Sequence, residues 1–286
     1  MNQREALNLQ IASIKALPPL PENSVKIMTA VNDPDVSVNE LVEVISQSAV
    51  LTARLLGLAN SAYFGRSGEI IDLRVAIIQV LGLNLVKSLS LSIVLNVELD
   101  TSKCQLFDAE YFWSHSLITA VIAQKLAQHL DDEMLTPNIV YTSGLLLNIG
   151  LTAAVYIMPE EINEVFSRVE KTESGVSNQM LSMVGMTHYD IGAMLLARWK
   201  LPETYQIVIS KFRSTEFNGK ERGLIKLLQL SHLIGSYVVN DKYEDLPEVM
   251  ASIDTLSMPE SLIESVVTEM ASKNENIRGL AALISG

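Results

Sequence analysis

The segment "AVLTARLLGLANSA", residues 49–62, indicates most directly how this chain folds. Leu51, Leu55 and Leu58 recur at positions i, i+4 and i+7, which is the spacing of one face of an α-helix. No stretch of the chain alternates apolar and polar residues over the length of a strand with the β-branched enrichment that strands show. The sequence therefore predicts an all-α protein.

Polar residues that cap helices divide the chain into successive helical segments. Ser37 and Glu40 have the Ser-x-x-Glu spacing of a capping box, in which each side chain bonds the backbone N–H of the other residue. Ser257 and Glu260 repeat this spacing near the C-terminus, and Asp72 is positioned to cap a further helix. We expect a helix to begin at each of these places.

The polar segment "ELDTSKCQLFD", residues 98–108, marks the predicted domain boundary. Apolar residues become sparse there, although the segment has no Gly- or Ser-rich linker. We expect an N-terminal helical lobe over residues 1–100 and a helical bundle with a C-terminal extension over residues 101–286. The predicted fold is thus a two-lobed all-α protein.

Charge and composition limit the expected partners and compartment. The chain has a formal net charge of -12 and no cluster of Lys and Arg, which disfavours binding to nucleic-acid phosphates. The single cysteine, Cys104, cannot form an internal disulfide, which fits a reducing cytoplasm. The N-terminus is polar and lacks the apolar run of a signal peptide. Gly82 and Lys87 interrupt the apolar stretch 75–97, which predicts two buried helices rather than a membrane span. We expect a cytoplasmic protein that binds neither nucleic acid nor membrane.

Local motifs predict no catalytic, cofactor-binding or metal-binding site. The four histidines, His115, His129, His188 and His232, belong to no His-Glu-x-x-His pair and to no tight His/Cys cluster. The chain also lacks a Gly-x-Gly-x-x-Gly loop, a Walker-type loop and a Gly-x-Ser-x-Gly elbow. No enzyme class follows from these motifs.

A longer pattern does resemble a known family. The stretch "LPPLPENSVKIMTAVNDPDVSVNELVEVISQSAVLTARLLGLANSAYFG", residues 17–65, is similar to the opening of the HDOD domain, the HD-related output domain of bacterial signalling proteins. The likeness continues through "VAIIQVLGLNLVKSL", "FWSHSLITAVIAQKLA", "SGLLLNIGL" and "GMTHYDIGAMLLARWKLPE", and so covers roughly residues 10–215. This resemblance implies that the bundle over residues 101–286 is HD-like.

The resemblance also implies that the metal site of this superfamily is lost. Related HD phosphohydrolases carry a His-Asp doublet in a helix reading Leu-Leu-His-Asp-Ile-Gly, and it helps to hold a divalent metal whose bound water attacks phosphate. In "GLLLNIG", residues 144–150, Leu147 and Asn148 occupy the doublet positions. Leucine cannot ligate a metal, and a neutral amide replaces a carboxylate poorly. Lys211 and Phe212 stand where many relatives carry paired histidines, so we expect no catalytic residue, metal or cofactor.

Three residues are candidates for a vestigial cleft. His115 and His188 match positions of family histidines, and Asn148 lies at the former doublet. Each also has a structural interpretation: Asn148 as an amide bonded across helices, His115 as a partnered core histidine, and His188 as the start of a helix capped by Thr187. We assign no role to His129 and His232.

A second group of residues is predicted at the interface of the two lobes. The resemblance suggests that Arg54, Asn60 and Tyr63 mark the family-specific lobe and face the bundle. The small residues beside them, including Gly57 and Ala59, favour the alternative that this segment serves close packing of helices.

These observations favour a non-catalytic module of bacterial signal transduction that binds a protein partner or a small ligand. One alternative is a metal-dependent phosphohydrolase acting on a nucleotide or cyclic dinucleotide, which the loss of the doublet argues against. Another is a nucleotide-binding receptor without turnover, in which dispersed arginines such as Arg54 and Arg198 would converge. The scattered basic residues disfavour a dianionic ligand.

Overall fold

The computed structural model describes residues 19–65, 68–169, 173–246 and 256–285, and these ranges are largely helical. They contain no strand, and the predicted all-α class is confirmed. Short 3₁₀ segments lie at Ala62–Phe64 and Tyr243–Asp245, and a π-helical segment lies at Ile77–Leu81. The α-helices are α1 (Glu22–Asn32), α2 (Val38–Ser46), α3 (Ala49–Ala59), α4 (Leu73–Ala76), α5 (Leu83–Glu98), α6 (Ala109–Ala127), α7 (Pro137–Leu146), α8 (Ile149–Ile157), α9 (Pro159–Arg168), α10 (Glu173–Val184), α11 (His188–Arg198), α12 (Glu203–Lys211), α13 (Arg222–Val239) and α14 (Glu260–Ser285).

Most of the predicted helix caps form. Ser37 Oγ accepts a hydrogen bond from the backbone N–H of Glu40 at 3.2 Å, and Glu40 Oε2 accepts one from the N–H of Ser37 at 2.9 Å. Asp72 caps α4, and Thr187 caps α11 through a second capping box with Asp190. These short-range contacts satisfy N–H groups that have no partner within the helix.

The capping box predicted near the C-terminus is wrong. Ser257 has a φ of 58°, in the left-handed region, whereas an N-cap residue is typically extended. A box at Ser257 would also start the helix at Met258, and the residue before a proline is disfavoured in α-helical geometry. Because Pro259 follows Met258, α14 begins only at Glu260.

Gly82 divides the apolar stretch that could be mistaken for a membrane span. It adopts a φ of 78°, and the helical segments Leu73–Leu81 and Leu83–Glu98 on either side are bent by 118°. The prediction of two helices is confirmed there. Among the described residues, one helical stretch, Pro137–Ile157, is long and apolar enough to cross a membrane, but 83% of its most apolar window is buried inside the protein, as in a core helix.

The described residues form two compact units, each assembled from separate chain segments. The first unit contains Leu95–Asp108 and Leu147–Thr215, with residues 19 and 20. The second unit contains Pro21–Val94, Ala109–Leu146 and the described part of Glu216–Gly286. The predicted lobes, residues 1–100 and 101–286, divide the chain at a different place, and that domain boundary stays a prediction.

Each unit has its own helical core. In the second unit α6 is central and packs against α7, α13 and α14, with Trp113 fully buried. Leu51, Leu55 and Leu58 of α3 are all buried, as their spacing predicts, and burying each leucine contributes about 1.5–3 kcal/mol. In the first unit α11 packs against α8 and α12, and α10 packs against α9. These two cores position the sites described below.

Candidate functional site

Three buried polar side chains of the first unit, Asn148, Ser177 and His188, form one hydrogen-bonded chain. His188 Nε2 lies 3.3 Å from Asn148 Oδ1, and His188 Nδ1 lies 3.2 Å from Ser177 Oγ. An amide oxygen can only accept, so Nε2 carries the hydrogen, and the Ser177 hydroxyl can donate to or accept from Nδ1. Both ring nitrogens of His188 therefore have side-chain partners.

Local structure places Asn148 against His188. The capping box at Thr187 starts α11 at His188, and Asn148 precedes α8 without capping it, so its side chain is available to the imidazole. The two helices approach closely because Gly150 and Gly192 face each other: a Cβ on Gly150 would lie 1.8 Å from the carbonyl oxygen of His188 and 2.4 Å from the N of Gly192. Gly150 is thus required by packing.

Aromatic rings continue this cluster. The rings of His188 and Tyr189 have centroids 4.0 Å apart, and those of Tyr189 and Phe212 are 5.0 Å apart. Phe212, which by the family resemblance stands where many relatives have a histidine, is buried in this core. The side chain there contributes apolar packing and cannot ligate a metal.

His115 has a different environment, in the second unit. Its Nε2 lies 3.1 Å from the carbonyl oxygen of His232, and because a carbonyl only accepts, Nε2 must carry the hydrogen. The two imidazole centroids are 4.3 Å apart with the rings nearly perpendicular. Burial lowers the pKa of His232 to about 3, so His232 is neutral at neutral pH.

The three predicted cleft residues therefore do not all belong to the same unit. Asn148 and His188 are hydrogen-bonded to each other in the first unit, whereas His115 belongs to the second unit, beside His232. Ser177 was not predicted, because no motif in the sequence marks it, and no role was predicted for His232. The cleft role of these residues stays a prediction.

The donor atoms at the doublet position do not fit a divalent metal. Leu147 offers only hydrocarbon, Asn148 offers a neutral oxygen already bonded to His188, and the Nε2 of His188 carries a hydrogen instead of a free lone pair. Across the ranges that the structure describes, no three His, Cys, Asp or Glu side chains are grouped so that they could hold a metal ion.

The residues predicted at the lobe interface all lie in the second unit. Arg54 donates a hydrogen bond to the backbone carbonyl of Ile284 on α14, and Tyr63 lies beneath Lys273 of the same helix, with 5.8 Å from the ammonium to the ring centroid. The interface role of these residues stays a prediction.

Asn60 has a local partner instead. Its amide donates to the carbonyl of Ile70 at 2.8 Å and accepts from the N–H of Ile70 at 2.7 Å, which closes the loop after α3. Arg54 and Arg198, the arginines considered for a nucleotide site, belong to different units.

Comparison with known proteins identifies the family. The sequence-family model of the HDOD domain matches residues 17–213, which is well over half of the chain. A protein of Treponema pallidum (strain Nichols) that has no assigned function is 31% identical over 193 residues, a match that covers 66% of this chain. The match covers 36% of that relative, so this chain corresponds to little more than a third of its length.

Solved structures share the fold. A candidate signal transduction protein from Marinobacter aquaeolei VT8 superposes with a TM-score of 0.76 at 21% identity, over 100% of this chain and 67% of that one. A candidate phosphohydrolase from Shewanella amazonensis SB2B gives 0.74 at 21% identity, over 96% and 98% of the two chains. An HDOD domain protein of unknown function from Geobacter sulfurreducens gives 0.71 at 22% identity, over 99% of each chain. At these identities the likeness concerns the fold.

Proposed function

The chain belongs to the HDOD domain family, and on that premise we propose that it is a non-catalytic module of bacterial signal transduction, which transmits its input by binding a protein partner or a small ligand. The observation that carries this proposal is the hydrogen bond from His188 Nε2 to Asn148 Oδ1. By the family resemblance, these two side chains correspond to positions at which related phosphohydrolases hold their metal.

This hydrogen bond opposes metal binding for a chemical reason. A metal would need the lone pair of Nε2, so His188 would have to change tautomer, give up its bond to Asn148 and reverse its bond to Ser177, whose hydroxyl oxygen would then accept from Nδ1–H. Those groups are buried, and leaving one buried polar group without a partner costs about 1–3 kcal/mol. The remaining ligands are neutral or apolar and offset little of that cost.

Charge supports the proposed kind of partner. At a net charge of -12, the protein repels nucleic-acid backbones and anionic membrane surfaces, and it attracts proteins with basic surfaces. The proposed setting is the cytoplasm, with a protein of a signalling pathway as the partner. The fold likeness to the Shewanella candidate phosphohydrolase, at 21% identity, assigns no turnover to this chain.

Metal content and turnover test the proposal together. The protein is expressed with added manganese and iron, purified, and measured by elemental mass spectrometry before and after soaking in either metal. We expect metal near zero per chain and no hydrolysis of bis(p-nitrophenyl) phosphate or cyclic di-GMP. An HD phosphohydrolase with an intact His-Asp doublet, carried through the same steps, is the positive control.

The opposing outcomes are distinct. Metal near one per chain with hydrolysis would overturn the proposal in favour of the phosphohydrolase. Calorimetric binding of cyclic di-GMP without hydrolysis would identify a nucleotide receptor, and we expect no such binding because the basic residues are dispersed.

A further inference from the structure

The second unit contains a cavity that is separate from the histidine sites. Its volume is about 590 Å³, within the 300–1,000 Å³ typical of small-molecule pockets. The 3₁₀ segment Ala62–Phe64, the corner at Gly82, and helices α6, α7 and α14 contribute its walls. Much of the lining is apolar, including Leu58, Phe64, Leu81, Leu117, Ile277 and Leu280.

The cavity has one excess positive charge. Lys125 and Lys273 both line it, and Glu269 bonds both ammonium groups, at 2.8 Å and 2.7 Å. One carboxylate between two ammonium groups leaves a net charge of one, and each ammonium keeps donors for a ligand. The hydrogen bond to Glu269 raises the pKa of Lys273, so that lysine is charged at neutral pH. This local positive charge contrasts with the acidic chain as a whole.

An unsatisfied acceptor also lies in the cavity wall. Asn138, near the start of α7, lines the cavity, and its Oδ1 is buried with no hydrogen-bond partner among the residues that the structure describes. Buried polar atoms in folded proteins are nearly always bonded, and leaving one unbonded is costly. Because this oxygen has almost no accessible surface, the Asn138 side chain has to turn toward the cavity before an N–H or O–H group of a ligand can bond it and remove this cost.

We propose that this cavity binds a small organic monoanion, a carboxylate or sulfonate, whose apolar or aromatic body carries a hydrogen-bond donor. Lys125 and Lys273 hold the anionic group, the apolar walls enclose the body, and Asn138 accepts from the donor. A dianion such as a phosphate monoester would leave an uncompensated charge beside apolar walls, which is unfavourable.

This inference deepens the proposed function, on which it rests, because it gives the chemical class of a small ligand for the module. The probe is anilinonaphthalene sulfonate, a fluorescent aromatic monoanion with an N–H group. Its neutral counterpart is phenylnaphthylamine, which has the same rings and N–H but no sulfonate. We expect the sulfonate to bind at one per chain, to be displaced by decanoate, and to bind more tightly than the neutral amine.

Three variants separate charge from shape. Lys273→Met is expected to weaken sulfonate binding about tenfold or more, the loss expected for one charge-assisted hydrogen bond, and to leave the neutral amine nearly unchanged. Val121→Phe places a ring in the cavity wall and is expected to abolish binding of both probes. Lys26→Met is the matched control, because Lys26 is exposed and pairs with Glu22, outside the cavity, and should leave both affinities unchanged.

Melting temperature and far-ultraviolet circular dichroism are measured for every variant, so that a folding defect is not read as lost binding. Equal affinity for the two probes, binding that persists in folded Val121→Phe, or no saturable binding would each overturn the inference. None of those results would change the outcome of the metal and turnover measurements. Conversely, bound metal with turnover would overturn the proposed function and would not change the affinity of the probes for this cavity.

Discussion

The buried polar cluster of the first unit and the cavity of the second unit differ in how completely their polar groups are satisfied. Around Asn148 and His188 both imidazole nitrogens have partners, and backbone contact at Gly150 leaves no space. In the cavity Asn138 Oδ1 lacks a partner among the described residues, an ammonium charge is in excess, and about 590 Å³ is open.

This difference separates a structural site from one suited to binding. A closed cluster with matched partners stabilises its unit, and a ligand could enter only by breaking bonds that the fold already makes. An open cavity with unsatisfied groups gains hydrogen bonds when a ligand enters. The family resemblance directs attention to the first unit, whereas the proposed ligand site lies in the second.

The largest effect is expected from Gly150→Ala, which tests how tightly the cluster is closed. The added methyl would lie 1.8 Å from the His188 carbonyl oxygen and 2.4 Å from the N of Gly192, and both are backbone atoms. The two helices would have to separate, so we expect a loss of about 3 kcal/mol or more in the free energy of unfolding. Urea denaturation followed by circular dichroism measures this loss.

Gly57→Ala is the matched control in the second unit. A Cβ there would meet only the Leu283 side chain, at 3.4 Å, which is ordinary contact. Alanine is favoured over glycine inside a helix by about 1 kcal/mol, so this variant should be neutral or stabilising. Similar losses in the two variants would mean that Gly150 is not under special constraint and that the cluster is looser than the structure indicates.

The parts of the fold that were predicted correctly depend on short stretches of sequence. Two examples are the leucines at i, i+4 and i+7 in residues 49–62 and the capping box at Ser37 and Glu40. Each involves residues within a few helical turns of one another, so the sequence pattern alone is enough to predict it. The box at Ser257 was predicted wrongly because a serine and a glutamate at the right spacing do not report the left-handed backbone that precedes Pro259.

The sites depend on contacts that the linear sequence does not show. The bond from His115 to the His232 carbonyl spans 117 residues, and the bond between Ser177 and His188 joins side chains that no motif connects. The doublet positions were identified by family resemblance, but the partner of Asn148 followed only from the structure. The cavity combines segments from α3 to α14, which no local pattern brings together.

An intermediate effect is expected from Asn148→Leu, compared with Asn138→Leu. Removing the amide of Asn148 leaves the Nε2–H of His188 buried without this acceptor, so we expect a loss of about 1–3 kcal/mol in the free energy of unfolding. Asn138→Leu removes an acceptor that has no partner in the described ranges, and we expect a change within about 0.5 kcal/mol or a small gain. Chemical denaturation of both variants gives the comparison.

Equal losses in the two asparagine variants would contradict the distinction between the sites. A large loss of unfolding free energy in Asn138→Leu alone would reverse this distinction. Asn138 would then make a structural contact, and the polar groups of the cavity wall would have partners as those of the cluster do.

The smallest effect concerns pH and the His232 ring. Burial lowers the pKa of this side chain to about 3 in the folded protein, below the ordinary value of 6.5. Between these values the unfolded chain binds a proton that the folded chain does not, so stability falls as the pH falls. From pH 7 to about pH 5.5 we expect His232 to account for a loss of about 1 kcal/mol.

Urea unfolding at the two pH values measures this loss in the wild type, in His232→Gln and in His129→Gln. The glutamine at position 232 removes the titrating group, so this variant should lose about 1 kcal/mol less than the wild type on acidification, even if it is less stable at neutral pH. Carboxylates titrate in all three proteins and cancel in the comparison. His129 is exposed, and its variant should keep the wild-type pH dependence. If His232→Gln kept it too, the ring of His232 would be hydrated in the folded protein, and the core around His115 would be more open than the cluster at His188.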